Sequence, residues 1–279
     1  MMRILLTGSS GFVGKQILKS LLAKGAFVTV ILRKDQNIPD GVSCVRTDNM
    51  FSETTRFWED SCRNHNAVIH CAWFAKYGKY LNANENLDCL HGTIRLFQGA
   101  KAAGISHFQG IGTCLEYDLT TKEVAERKPI PPNAPIYPNT AYAAAKAAAY
   151  LALVNHSGEM GFAWSRLFYL YGEGEDRRRL VPYINDRISQ GLPVRLTSGN
   201  FWRDFLDVEE AGAQIAKVTL NSVTGPLNIC SGKPIKLVAL AEKIASKYGR
   251  QDLIKLDSNP NNVNEPPFVV GVPSLRKIL

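Results

Sequence analysis

Eight residues near the start, Thr7-Gly8-Ser9-Ser10-Gly11-Phe12-Val13-Gly14, constrain the fold more than any other stretch. The run RILLTG leading into them reads as a β-strand, and FVGKQILKSLLAKG after them as an amphipathic helix ending at Gly25. Glycines at 8, 11 and 14 permit a tight turn and the close approach of an outside group to backbone N–H groups at the helix N-terminus. The plain alternative is an ordinary βα turn. Placement between the first strand and the first helix favours a pyrophosphate cradle, with Gly8, Ser10, Gly11, Phe12, Val13 and Gly14 lining a dinucleotide.

The rest of the first half keeps this alternation. FVTVILR, AVIHCAW, SHFQGIGT and FAWSRLFYLYG read as strands; CLHGTIRLFQGAKAAG and AYAAAKAAAYLALVNHS read as helices. AVIHCAW is apolar throughout, which suits a strand covered on both faces. The order implies an α/β chain with a doubly wound parallel sheet of the Rossmann type. After Gly172 turn residues multiply, and LVPYINDRISQG and KLVALAEKIASKYG read as separate helices. The expected division is a dinucleotide-binding domain over 1–171, with a return segment near 201–221, and a smaller mixed C-terminal substrate lobe over 172–279. SNPNNVNEPP reads as a loop.

A chain of 279 residues with formal charge +8 favours anionic ligands, but its basic residues are scattered and carry no nucleic-acid signature. No apolar run is long enough to span a membrane. Six cysteines without a C-x-x-C pair, and MMR running straight into a strand, point to free thiols in a reducing cytoplasm. The five histidines lack H-E-x-x-H spacing, so no metal site is expected.

TAYAAAKAAAY, residues 140–150, holds a second feature. Alanine drives the helix, and Tyr142 and Lys146 interrupt it four residues apart, on one face. By itself this suits a surface helix. Combined with the cradle, TGxxGFxG followed by YxxxK resembles the extended short-chain dehydrogenase/reductase family, which includes nucleotide-sugar epimerases, dehydratases and ketoreductases. RDFLDV at 203–208 and LYG at 170–172 add to the resemblance, which covers nearly the whole chain.

The resemblance implies roles. In NAD-binding members an acid ends the second strand; here Leu32 stands in its place and Arg33 and Lys34 follow. A guanidinium pairs with a 2′-phosphate that a carboxylate would repel, so NADP(H) is favoured, with NAD(H) the alternative. Asp48 resembles the adenine-contacting aspartate. Tyr142 is the expected general acid–base, its phenol brought towards neutral pH by Lys146, which would also hold the nicotinamide ribose. Thr113, four residues before Tyr117, resembles the family's orienting hydroxyl.

The chain also departs from the family's patterns. Dehydratases carry T-D-E; here Thr113 is followed by Cys114 and Leu115, and Glu116 comes one place late, expected to point away on a strand-like segment. Dehydration is therefore disfavoured. Cys89 replaces the family's asparagine, with Asn86 one turn earlier as substitute, and Tyr169 replaces an asparagine that touches the sugar nucleotide in some epimerases. Arg203 matches the diphosphate-binding arginine, Arg177 to Arg179 are expected to add positive field, and Trp73 sits where it would shape the sugar pocket. The expected activity is NADP(H)-dependent reduction of a nucleotide-diphosphate 4-keto-6-deoxy sugar by a homodimer. The alternatives are a 4-epimerase and a non-catalytic dinucleotide-binding regulator.

Overall fold

The computed structural model describes residues 1–33, 36–37, 40–196, 199–256 and 265–275. Its first half runs β1 (Arg3–Thr7), α1 (Phe12–Ala23), β2 (Phe27–Arg33), β3 (Ser43–Thr47), α2 (Thr55–Cys62), β4 (Ala67–His70), α3 (Glu85–Ala102), β5 (His107–Thr113), α4 (Lys122–Ala125), α5 (Ala141–His156) and β6 (Gly161–Leu167). There follow β7 (Tyr169–Tyr171), α6 (Leu180–Ser189), β8 (Val194–Leu196), β9 (Trp202–Asp207), α7 (Val208–Leu220), β10 (Gly225–Ile229), β11 (Pro234–Lys236), α8 (Leu237–Ser246), β12 (Ile254–Leu256) and β13 (Phe268–Val269).

Seven strands form one parallel sheet in the order β10-β6-β5-β4-β1-β2-β3. Successive β1 residues face opposite sides. Ile4 and Leu6 join a core with α1 and α7, while Leu5 joins one with α2, α3 and α5. Both faces are covered, which is why β1 and β4 are apolar without alternation. Strand order reverses between β1 and β4, and the loops after these strands diverge there to open a crevice.

Two expected strands are cut short. AVIHCAW is a strand only to His70, and the run from Phe162 to Gly172 splits at Phe168. Its second part, β7, leaves the large sheet and pairs in parallel with β9 in a four-stranded sheet that also holds β11 and β13. Phe168 sends its N–H to the Ile229 carbonyl at 3.3 Å, so the crossing retains a tie to the large sheet. Residues 201–221 divide likewise: β9 belongs to the small sheet, and α7 packs back on α1. A separate core joins α6, β8 and α8. Most of the SNPNNVNEPP loop lies outside the described residues.

Candidate active site

The crevice encloses about 1480 Å³ and is lined by the loops after β1, β2, β3 and β4, the end of β5, the first turns of α5, β7 and the segment before α6. That exceeds the ~300–1,000 Å³ typical of one small ligand. Gly8, Ser10, Gly11, Phe12, Val13 and Gly14 all line it. Gly8 has φ +74, and a Cβ there would lie 2.7 Å from the Ala72 nitrogen; one at Gly14 would be driven into the Gly8 carbonyl oxygen. Gly11 caps α1 without a side-chain hydrogen bond, so the first N–H groups of the helix are left for an anion. These residues fit a dinucleotide pyrophosphate. Arg33 and Asp48 lie at the crevice margin, and Leu32 is buried beneath it. The Gln36 amide fastens this end, donating to Ser10 Oγ at 3.1 Å and accepting from the Arg33 N–H at 3.1 Å. Lys34 lies outside the described residues.

A buried histidine sets the floor between the two diverging loops. Thr93 Oγ1 donates to the Cys89 carbonyl and therefore accepts from His70 Nε2–H at 2.8 Å, leaving Nδ1 to accept from the Thr7 hydroxyl at 2.8 Å. Thr7 Oγ1 in turn accepts the Ala72 N–H at 3.2 Å. Burial lowers the His70 pKa to about 3, so the ring stays neutral and the chain of donors keeps one direction.

Thr113, Tyr142 and Lys146 come together at the far end. Thr113 closes β5, and α5 starts with Thr140 accepting the Ala143 N–H at 3.2 Å. Ala143, Ala145, Ala147 and Ala149 are buried, which brings this helix close to its neighbours and turns Tyr142 and Lys146 into the crevice. Lys146 is 2% exposed; its Nζ donates to the Ile111 carbonyl at 2.5 Å and lies 3.8 Å from the centroid of the Trp73 ring. Burial lowers its ammonium to about 8, against the pull of Cys71, Glu116 and Cys89.

The phenol departs from expectation. Burial, then Tyr80 and Glu116, raise the Tyr142 pKa, and only hydrogen bonding with Thr113 opposes them. The Lys146 ammonium is directed at the Ile111 carbonyl and the Trp73 face. Tyr142 is accordingly held as a protonated donor.

Two assignments of the sequence reading change. Asn86 does not line the crevice: it is buried, accepts the Trp73 indole N–H at 2.9 Å and donates to the Tyr80 and Ala83 carbonyls at 2.7 and 2.9 Å. Its amide braces Trp73. Glu116 does not point away, because Cys114–Glu116 forms a 3₁₀ turn that rolls its carboxylate back beneath Thr113.

Trp73, Tyr169, Arg179 and Arg203 do line the crevice. Arg203 is buried, with its guanidinium turned inward. Nη1 donates to the Trp202 and Pro266 carbonyls, both at 2.9 Å, and Nη2 lies 3.1 Å from the Glu265 carboxylate. Two further wall residues escaped the sequence reading. Tyr80 stands edge-on to Tyr142, ring centroids 5.0 Å apart, and is hydrogen-bonded with Arg179. Glu175 is raised by burial to about 7, opposed by Arg179. The only sequence hint of Glu175 was its place in the acidic EGED before the arginine run.

Sheet and crevice together define an enzyme built on a dinucleotide-binding scaffold. The chain belongs to the NAD dependent epimerase/dehydratase family, whose profile matches residues 4–230. It is 25% identical over 255 residues to dTDP-6-deoxy-L-talose 4-dehydrogenase (NAD(+)) of Aggregatibacter actinomycetemcomitans, covering 88% of this chain and 91% of that relative. Identity to dTDP-glucose 4,6-dehydratase of Streptomyces niveus is 26% over 271 residues, covering 89% and 78%. UDP-glucose 4-epimerase of Thermotoga maritima has a similar structure, with TM-score 0.80 at 19% identity over 99% of this chain and 92% of that one. For UDP-N-acetylglucosamine 4-epimerase of Bacillus cereus the values are 0.81, 22%, 100% and 92%. Among the described residues, no helix is long and apolar enough to cross a membrane, and no cluster of three metal-ligating side chains occurs.

Proposed function

We propose that the protein reduces the 4-keto group of a nucleotide-diphosphate 6-deoxy sugar, with NADP(H) preferred. The observation that carries this reading is the convergence of Thr113, Tyr142 and Lys146 at one end of a crevice whose other end is the glycine cradle. When bound, the reduced dinucleotide supplies the hydride. The cradle would hold its pyrophosphate, Arg33 would meet a 2′-phosphate, and Lys146 would hold a ribose. Tyr142 gives its phenolic proton to the carbonyl oxygen as C=O becomes an alcohol, and is reprotonated from solvent. Thr113 orients that oxygen by hydrogen bonding. The raised pKa keeps Tyr142 in its protonated form before the transfer.

Arg179, from the lobe side, approaches the sugar diphosphate, with Arg203 bracing the wall behind it. Trp73 and Tyr80 present ring surface to the sugar. The indole N–H of Trp73 is already donated to Asn86 and its ring carries the Lys146 ammonium, so the ring brings the sugar no hydrogen-bond donor, which suits a deoxygenated carbon. The homodimer that the resemblance implies would cover Leu87 on α3 and Leu151 on α5, 58% and 50% exposed, and light scattering measures its mass.

The test is NADPH consumption with a panel of 4-keto-6-deoxy sugar nucleotides. One NADPH oxidised per sugar reduced is expected. Isomerisation of a sugar nucleotide with no net NADPH change identifies a 4-epimerase and overturns the reductase reading. Tyr142→Phe should lower kcat by about 10²–10⁴-fold while dinucleotide binding, followed by fluorescence, holds within about threefold. Unchanged kcat removes Tyr142 from the mechanism.

A further inference from the structure

Glu116 is fully buried, as is its partner Arg166. An ion pair so placed seldom repays its desolvation, and apolar residues of equal volume often give more stability. Its retention calls for some other role, and its contacts supply one. Glu116 Oε1 accepts the backbone N–H of Thr113 at 2.8 Å, a group that ends β5. Arg166 Nε donates to Oε2 at 2.6 Å, and the Trp164 indole N–H lies 3.1 Å from each oxygen. Three donors on two elements thus fix the carboxylate, and the carboxylate fixes Thr113.

The surroundings are cut to admit this arrangement. Gly110 and Gly112 lie on one face of β5, and a methyl group at either would be driven into the Trp164 ring; at Gly112 it would also meet Glu116 Oε1. Arg166 is clamped between the Tyr117 and Tyr150 rings, 4.9 and 4.5 Å from their centroids, and Nη1 donates to the Pro132 carbonyl at 3.1 Å. Tyr117 donates its hydroxyl proton to Asn228 Oδ1 at 2.6 Å, on β10, and Asn228 Nδ2 donates to the Ile130 carbonyl at 2.8 Å. Arg166 Nη1 also lies 3.4 Å from the Tyr117 hydroxyl, so a chain of contacts runs from β10 to Thr113, the residue facing Tyr142.

We propose that Glu116 is a positioning residue: held by Arg166 and Trp164, its carboxylate fixes the Thr113 backbone and so the direction in which the Thr113 hydroxyl meets Tyr142 and the substrate oxygen. This rests on the reductase reading above. The same negative charge raises the pKa of both Tyr142 and Lys146, which keeps donor and ammonium protonated. Neither Glu116 nor Arg166 lines the crevice; Arg166 acts through Glu116, and Glu116 acts through the Thr113 backbone and through its charge.

The test is a double-mutant cycle between Glu116→Asp and Thr113→Ala. Glu116→Asp keeps the charge and withdraws the carboxylate by one methylene. A misplacement of about 1 Å at a reacting group costs as much as ~100-fold, so kcat should fall about 10- to 100-fold, with sugar-nucleotide KM and dinucleotide Kd within about threefold. In the Thr113→Ala background the same change should cost less than about threefold. An equal loss in both backgrounds, or KM and Kd worsening in step with kcat, overturns the proposal. Should Glu116→Asp fail to fold, Arg166→Lys, which keeps the cation and loses the fork, enters the same cycle with the same two outcomes.

Hydrogen exchange of the Thr113 amide needs no substrate. It should speed at least about tenfold in the variant while α5 stays protected, because a lost hydrogen bond exposes that amide alone; unchanged exchange also overturns the proposal. A wild-type enzyme inert to every keto sugar nucleotide removes the proposed reaction, and exchange then decides the positioning by itself.

Discussion

At the residue scale, chemistry was legible where spacing alone fixes geometry. Tyr142 and Lys146 share a helix face because they are four apart, and Gly8 and Gly14 meet because a tight turn needs them to. Roles set by distant partners were not legible. Asn86 is claimed by Trp73, and Glu116 by Arg166, fifty positions along the chain. Arg33 carries the prediction proper to this scale. Its charge is worth something only against a 2′-phosphate, and a charge-assisted hydrogen bond contributes roughly 1.5–3 kcal/mol. Arg33→Ala should therefore weaken NADPH about 10- to 100-fold and NADH less than about threefold, by fluorescence titration. Equal losses for both cofactors remove Arg33 from phosphate recognition.

At the element scale, strands and helices with a strong local pattern were readable, including β1, β2, β5, α1 and α5. The seventh strand, β10, was not, because GPLNI opens with a glycine and a proline. Nor was the break at Phe168, since both halves of that run are apolar and only their partners differ. Close helix crossing shows how context reverses a propensity. Replacing a mid-helix glycine with alanine favours an isolated helix by about 1 kcal/mol. In α7, however, a Cβ on Gly212 would lie 2.6 Å from the Gln16 carbonyl carbon of α1. Overpacking of this kind costs about 1–3 kcal/mol, so the clash wins. Gly212→Ala should lower the urea midpoint of unfolding; a higher midpoint would show that α1 and α7 move apart freely.

At the scale of the whole molecule, buried neutral histidines set how stability follows pH. Burial lowers His70 to about 3 and His107 to about 4, from an ordinary 6.5. Below that ordinary value the unfolded chain takes up protons that the folded one refuses. The contribution of each ring is therefore complete above about pH 6.5 and is lost progressively as pH falls, down to about 4 for His107 and about 3 for His70. The limiting slope is about 1.4 kcal/mol per pH unit for each. Glu175, raised to about 7, acts in the opposite sense over this range, but it is one group against two; urea unfolding at pH 7 and pH 5 should still show the lower stability at pH 5, and replacing His107, which makes no side-chain hydrogen bond, with Gln should flatten the difference. A wild type equally stable at both values would mean that these rings charge within the fold.

The crossing at Phe168 bears on how such chains can vary. Leu167 lies beside Thr113 in one sheet, and Tyr169, two positions on, lies beside Phe205 in the other. A strand advances about 3.3 Å per residue and turns each successive side chain over. One amino acid gained or lost at this seam would slide the lobe wall past the reacting hydroxyl by that step and reverse the side facing the cleft. Length changes are tolerable in outlying loops; here the ribbon works as a fixed gauge between the floor of the cleft and its far wall.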